Sequence, residues 1–224
     1  WIKITATGGV LSVAKSGQNP QFTEEEIEAI TKTAKDYGLD VAAHAHGDEG
    51  MQRAVKMGVK TIEHGTLMSE KTMDLMKEKG VYLVPTITAG KEVAEKASIP
   101  GYYPEIIVPK ALKIGAQIQN TFAKAFKRGV PIAFGTDAGV FPHGKNALEF
   151  GYMEEAGMPM AEVLQSATIV NAKILDQASE LGQIAPGFKA DMVATHENAL
   201  LDSGTLNDIF FVMKEGKIYK NKMD

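Results

Sequence analysis

The sequence predicts an α/β protein built on a parallel sheet with crossover helices. Short apolar runs of β type recur from Ile2 to Phe134, and each leads through a polar or glycine-rich loop into a helix-like segment. Five such repeats are the signature of parallel strands joined by helices. The 44% apolar and 23% charged composition supplies enough apolar surface to fill one sizeable core.

The run Ile2–Thr5 opens the pattern, followed by a long loop that carries Gly8, Gly9, Gly17 and Pro20. Thr23 then starts a helix with Glu26 three residues on, a capping box, and Ile27, Ile30 and Ala34 fall at helical spacing before Gly38 closes it. A strand over 41–44 precedes a helix over 49–57 that ends at Gly58. The third run spans 61–63, and Ser69 caps a helix that stops at Gly80. Tyr82–Val84 is the fourth run; the stretch 85–104, rich in Pro, Gly and Tyr, reads as a loop, a longer helix covers 106–128, and 132–134 is the fifth strand. Strands this short and apolar suit a barrel interior with both faces covered. After Gly144 the texture is helical through Leu175, with Pro159 at a helix start, and beyond Leu181 it changes to short antiparallel strands with a turn at Glu215-Gly216. The expected division is therefore a barrel-like domain over 1–180 and a small β module over 181–224.

Composition removes several function classes. The 24 Lys and Arg against 28 Asp and Glu leave a formal charge of −4 with no basic run, so neither nucleic acid nor an anionic membrane is expected as a partner. No apolar stretch approaches the roughly 18 residues of a membrane span, and no signal-peptide pattern stands at the start, which makes a cytoplasmic location the expectation. Without cysteine, disulfides, thiolate zinc sites and thiol nucleophiles are excluded. Any metal must be held by His, carboxylate or a modified lysine. The chain begins at Trp1 and enters the alternating Ile2-Lys3-Ile4 at once, as a piece of a longer protein would.

In alternating strand–helix barrels the residues that do chemistry stand at the C-terminal strand ends. The first strand carries Lys3, the second ends in His44, the third in His64, and the fifth leads into Asp137. Taken singly, each has an ordinary reading as a loop hydrogen-bonder, a turn residue or a solvated lysine. Together, at corresponding points of successive repeats, they suit a divalent metal, because neutral imidazoles and carboxylates ligate zinc-like ions and an open coordination position activates water. Asp137 is placed to accept that water's proton and pass it to a leaving group. An ammonium cannot ligate a cation, so Lys3 must be deprotonated or converted into a carboxylate-bearing group.

These strings resemble the amidohydrolase superfamily: Ile2-Lys3-Ile4 with Thr7-Gly8-Gly9, Val41 to Gly47, Thr61-Ile62-Glu63-His64-Gly65, Gly135-Thr136-Asp137, and Gly182-x-Ile-Ala-Pro-Gly-x-x-Ala-Asp191. The imidazolonepropionase-like and prolidase-like metal-dependent hydrolases look most similar. The resemblance implies the C-terminal five β/α units, strands 4 to 8, of a (β/α)8 barrel, plus part of an accessory β-sandwich. It also implies two divalent ions, zinc first with Mn, Co or Fe as substitutes, bridged by Lys3 carboxylated with CO2. His44 and His64 are the implied ligands of strands 5 and 6, and Asp137 the ligand and proton shuttle. His46 and His143 are candidates for the substrate pocket. The superfamily's first-strand His-x-His pair has no counterpart upstream of Lys3; His44-Ala45-His46 has the form, but its place assigns it to strand 5.

The expected activity is hydrolysis of an amide, peptide or cyclic amide bond of a small, dipeptide-like or N-acyl amino-acid substrate. The alternatives are a mononuclear deaminase or imidazolone-type ring hydrolase, or a fragment made inactive by the missing His-x-His pair. Five strands cannot close an eight-stranded barrel, so the open edge is expected to pair with a missing N-terminal segment or with a second copy, as a homo-oligomer.

Overall fold

The computed structural model describes residues 1–13 and 16–222. Four strands, β1 (Ile2–Thr5), β2 (Val41–Ala45), β3 (Thr61–His64) and β4 (Tyr82–Val84), lie parallel and in chain order. Their crossovers are α1 (Glu24–Asp36), α2 (Asp48–Lys56) and α3 (Glu70–Lys79). The α/β class with a parallel sheet is as the sequence predicts.

Local chemistry accounts for the helix limits. The Thr23 hydroxyl accepts from the Glu26 amide at 3.3 Å while the Glu26 carboxylate accepts from the Thr23 amide at 2.8 Å, closing the capping box. Ser69 accepts from the Thr72 amide, and Gly80 ends α3 in the left-handed region at φ 66°. Asp48, in the first turn of α2, accepts from the Ser69 amide at 2.7 Å and from the Thr72 hydroxyl at 2.6 Å, which ties the start of α3 to α2.

Strand alternation divides the sheet into two faces. Ile4, Ala43, Ala45, Ile62 and Leu83 form one face and are buried. Register places Thr5 beside His44, His44 beside Glu63, and Glu63 beside Val84, so these side chains share the opposite face with Lys3.

Two expectations change. The stretch 85–104 is not all loop: α4 (Ile87–Ala97) occupies its centre and packs against α5 (Val108–Arg128). The two helices cross closely, because a Cβ on Gly115 would stand 2.1 Å from the Ala94 Cβ and 2.7 Å from the Gly90 carbonyl oxygen. The fifth run, 132–134, joins the sheet only through a parallel bridge between Leu83 and Ile132. Leu83 donates its amide to the Pro131 carbonyl at 2.8 Å and accepts from the Ala133 amide at 2.9 Å. Pro131 has no N–H to extend the ladder before this bridge and Pro85 has none to extend it after, which keeps the pairing to a single bridge.

These elements belong to one compact unit, Trp1–Phe141; Pro142–Asp224 forms a second. The second unit holds α6 (Leu148–Glu155), α7 (Met160–Gln165), a π turn over Ser166–Val170 and α8 (Asn171–Ile174). It then forms an antiparallel sheet of β5 (Met192–Thr195), β6 (Ile209–Lys214) and β7 (Lys217–Asn221) in that order. The change of texture expected near residue 180 falls inside this unit, between α8 and β5. Among the described residues no helix is long and apolar enough to cross a membrane.

Candidate active site

The inner face of the first unit's sheet opens into a cavity of about 390 Å³. Period-2 alternation aims His44 into it from β2, and His46, two residues on, follows on the same side. Lys3 enters from β1 and Glu63 from β3. His64 closes β3 at φ 73°, and Asp137, in the loop after the 132–134 segment, stands at φ 57°. Both are non-glycine residues in the left-handed region, a conformation that persists where the surroundings over-determine it and that clusters at functional sites.

The three imidazoles form one cluster. Ring centroids are 4.8 Å apart for His44 and His46, 4.7 Å for His44 and His64, and 4.9 Å for His46 and His64. One ring nitrogen from each lies within 4.8 Å of the other two. Hydroxyls orient two of the rings: His46 Nδ1 is 2.9 Å from Thr66 Oγ1, and His64 Nδ1 is 2.7 Å from Thr86 Oγ1. The Thr66 carbonyl in turn accepts from the Thr121 hydroxyl of α5 at 2.6 Å, and the Thr7 hydroxyl accepts from the His46 amide at 2.9 Å. With Nδ1 engaged in both rings, Nε2 is the nitrogen left to ligate. His44 Nε2 approaches the Gly8 carbonyl only at 3.5 Å, a weak contact.

Burial keeps the cluster neutral. It lowers His46 to about 3, with nearby His44 adding to the effect. It holds His64 well below the ordinary imidazole value, helped by His46, His44 and Lys3. His44 is lowered for the same first reason, opposed by the Gly8 carbonyl and assisted by Lys3. Neutral imidazole is the form that ligates a cation. The two carboxyls move the other way. Burial raises Glu63, against the Thr61 hydroxyl that donates to it at 2.5 Å and against Lys3. Burial also raises Asp137, with Lys3 opposing. Three converging neutral nitrogens beside a cavity that also holds Glu63 and Asp137 are a donor set that fits a divalent ion of the zinc type.

Of the residues singled out in the sequence, Lys3, His44, His46, His64 and Asp137 come together on this cavity. His143 is an exposed residue of a turn at the start of the second unit. Sequence reasoning gave His46 a substrate role, whereas the structure groups it with His44 and His64. It passed over Glu63, Thr66 and Thr86. A signal for Glu63 was present in the alternation Thr61-x-Glu63, which sets a carboxylate on the face opposite apolar Ile62.

The family model described as the Amidohydrolase family matches residues 1–221, and the chain belongs to that family. It is 34% identical over 225 residues to ochratoxinase from Aspergillus niger, covering 98% of this chain and 46% of the relative. Imidazolonepropionase from Alkaliphilus metalliredigens is 27% identical over 211 residues, with 90% of this chain and 45% of that protein covered. The crystal structure of a Xaa-Pro dipeptidase with bound methionine in its active site matches with a TM-score of 0.97 at 56% identity, covering 98% of this chain and 54% of that one. The chain thus spans about half the length of the relatives it matches.

Proposed function

We propose that this chain carries catalytic residues of a metal-dependent hydrolase that cleaves an amide or peptide bond of a small dipeptide-like or N-acyl amino-acid substrate. The observation that carries this reading is the convergence of Lys3 from β1, His44 from β2 and His46 just after it, His64 from β3 and Asp137 from the loop after 132–134 on one cavity. The Xaa-Pro dipeptidase and ochratoxinase relatives support the bond type. In the parent architecture the four parallel strands and the 132–134 segment are read as strands 4 to 8 of a (β/α)8 barrel, and 181–224 as part of an accessory β-sandwich. An N-terminal segment or a second copy covers the open edges of β1 and the 132–134 segment.

His44, His64, Asp137 and an N-carboxylated Lys3 are the residues that would hold two divalent ions, zinc first. When bound, such ions polarise the scissile carbonyl and bring the pKa of water toward neutrality. The chain's own part is positional. Reaction of the neutral Lys3 amine with CO2 forms a carbamate and releases one proton, giving this position an anionic oxygen donor. The Thr86 hydroxyl holds the His64 ring, and Thr66 holds His46. Asp137, exposed to the cavity and close enough to feel Lys3, carries the proton from the attacking water to the leaving nitrogen.

A second reading has its own observation. The cluster His44, His46 and His64 is by itself a three-nitrogen site for one ion, as a ring-opening or deaminating enzyme with a single metal would use. Metal counting separates the two. Two ions per chain by mass spectrometry, with activity that depends on bicarbonate and fails in Lys3→Ala, support the binuclear site. One ion and indifference to Lys3→Ala support the mononuclear one. A purified chain that binds metal yet hydrolyses no amide would reduce it to an inactive assembly component.

A further inference from the structure

Two chemically different sets of residues line the cavity. Lys3, His44, His46, Glu63, His64 and Asp137 bring polar groups to it, whereas Ala89, Gly90 and Val93 of α4 and Ile114 and Ile118 of α5 form an apolar wall. Residues 89, 90 and 93 share one face of α4, and 114 and 118 one face of α5. None of these five offers a charge or a side-chain hydrogen bond. Val93 and Ile114 continue behind the wall into a buried cluster with Ala97, Ile107 and Ala111, which fixes the wall in place. Gly90 sets its depth: a Cβ there would lie 2.8 Å from Ile118 Cγ2 and 3.1 Å from its Cδ1, so the missing side chain is what lets Ile118 reach the lining.

We infer that this apolar wall is a side-chain subsite: it takes an uncharged aliphatic side chain or ring from one of the two residues flanking the scissile bond and rejects charged ones, with Val93, Ile114 and Ile118 setting the preference. The inference rests on the hydrolase reading for the kind of substrate and on the lining of the cavity for its selection. That the same cavity is lined by the histidines argues for a substrate group as the occupant, since one small molecule can meet both sets of residues in a cavity of about 390 Å³. An aliphatic group gains from each buried methylene, whereas a carboxylate or ammonium on the same wall loses its water and finds no partner.

The test uses two dipeptide series, Xaa-Pro and Leu-Xaa with Xaa as Leu, Ala, Asp or Lys, on the metal-loaded protein. In at least one series kcat/KM for leucine should exceed that for Asp or Lys by about 30-fold or more, and Ile114→Ala should lower the leucine value about tenfold while changing the alanine value less than about twofold. A second readout needs neither metal nor turnover: in methyl NMR of the metal-free protein, Leu-Leu should shift the methyls of Val93, Ile114 and Ile118, and Asp-Asp, which brings no aliphatic residue to either side of the bond, should not. Profiles flat across both series overturn the subsite and leave the hydrolase reading standing. No hydrolysis of any dipeptide, with leucine-selective methyl shifts, overturns the hydrolase reading and supports the subsite. No hydrolysis and no shifts overturn both.

Discussion

The parallel sheet of the first unit and the antiparallel sheet of the second handle their polar groups in opposite ways. In the first, Ile4, Ala43, Ala45, Ile62 and Leu83 bury one face, and the other face presents Lys3, His44 and Glu63 to a cavity. In the second, no residue of β5, β6 or β7 is buried. Its charges satisfy one another at the surface: Lys214 donates to Asp191 at 2.7 Å, the Glu215 amide donates to the same carboxylate at 2.7 Å, and Lys189 pairs with Glu180 at 2.8 Å. A sheet anchored through one apolar face can hold imidazoles neutral and close together on the other. A sheet without such an anchor pairs its charges where water already solvates them, and such pairs contribute little.

The sharpest way to break that contrast is at the cavity rim. Asp137→Asn in the hydrolytically competent protein should lower turnover about 10³-fold with metal content unchanged by mass spectrometry; turnover close to wild type would remove Asp137 from the chemistry. Packing comes next. A Cβ on Gly47 would stand 1.9 Å from the Gln18 carbonyl oxygen, backbone against backbone, so Gly47→Ala should cost about 3 kcal/mol in urea unfolding. A loss under about 1 kcal/mol would show that the loop before α1 gives way freely.

Protonation gives a smaller effect with a definite sign. The folded state holds His46 near 3 while the unfolded chain holds it at its ordinary 6.5. Between those values the unfolded state binds more protons, so stability is complete above about pH 6.5 and drains away as the pH falls toward 3. The metal-free protein should lose about 2 kcal/mol between pH 7 and pH 4.5 by this route, and His46→Asn should flatten the slope; an unchanged slope would contradict the buried neutral ring. The smallest effect belongs to the second unit. Gly216 sits at φ 76° with open space around it, so Gly216→Ala should cost only about 1 kcal/mol, from backbone conformation alone. A cost equal to that at Gly47 would erase the difference in packing between the two units.

The helix punctuation was readable because it is local. Thr23 with Glu26, Ser69, and the glycines at 38, 58 and 80 each act within a few residues, and the first three crossover helices follow. The helix α4 was hidden by prolines at 85, 100 and 104 that flank it, and by Gly90, which serves a contact with α5 that no local pattern reports. The fifth strand read as an apolar run but could not pair fully, owing to Pro131 on its own side and Pro85 on the side of β4. Lys3, His44, His64 and Asp137 were legible as a set because the strand-and-loop repeats that carry them recur at regular points. The grouping of His46 with His44 and His64 was not, because it depends on how β2 and β3 register and on the turn His64 takes after its strand.

That turn at His64 has a practical consequence. Its backbone, at φ 73°, lies where glycine is at ease, so His64→Gly would remove the ring and relax the main chain in one step. The hole left behind has the shape of an imidazole, with the Thr86 hydroxyl on its wall as a docking point. The position suits chemical complementation, in which a diffusible imidazole from the buffer takes the place of the deleted side chain. His44 offers no such opening: it lies within β2, where a glycine loosens the strand that carries this ring and leads to His46.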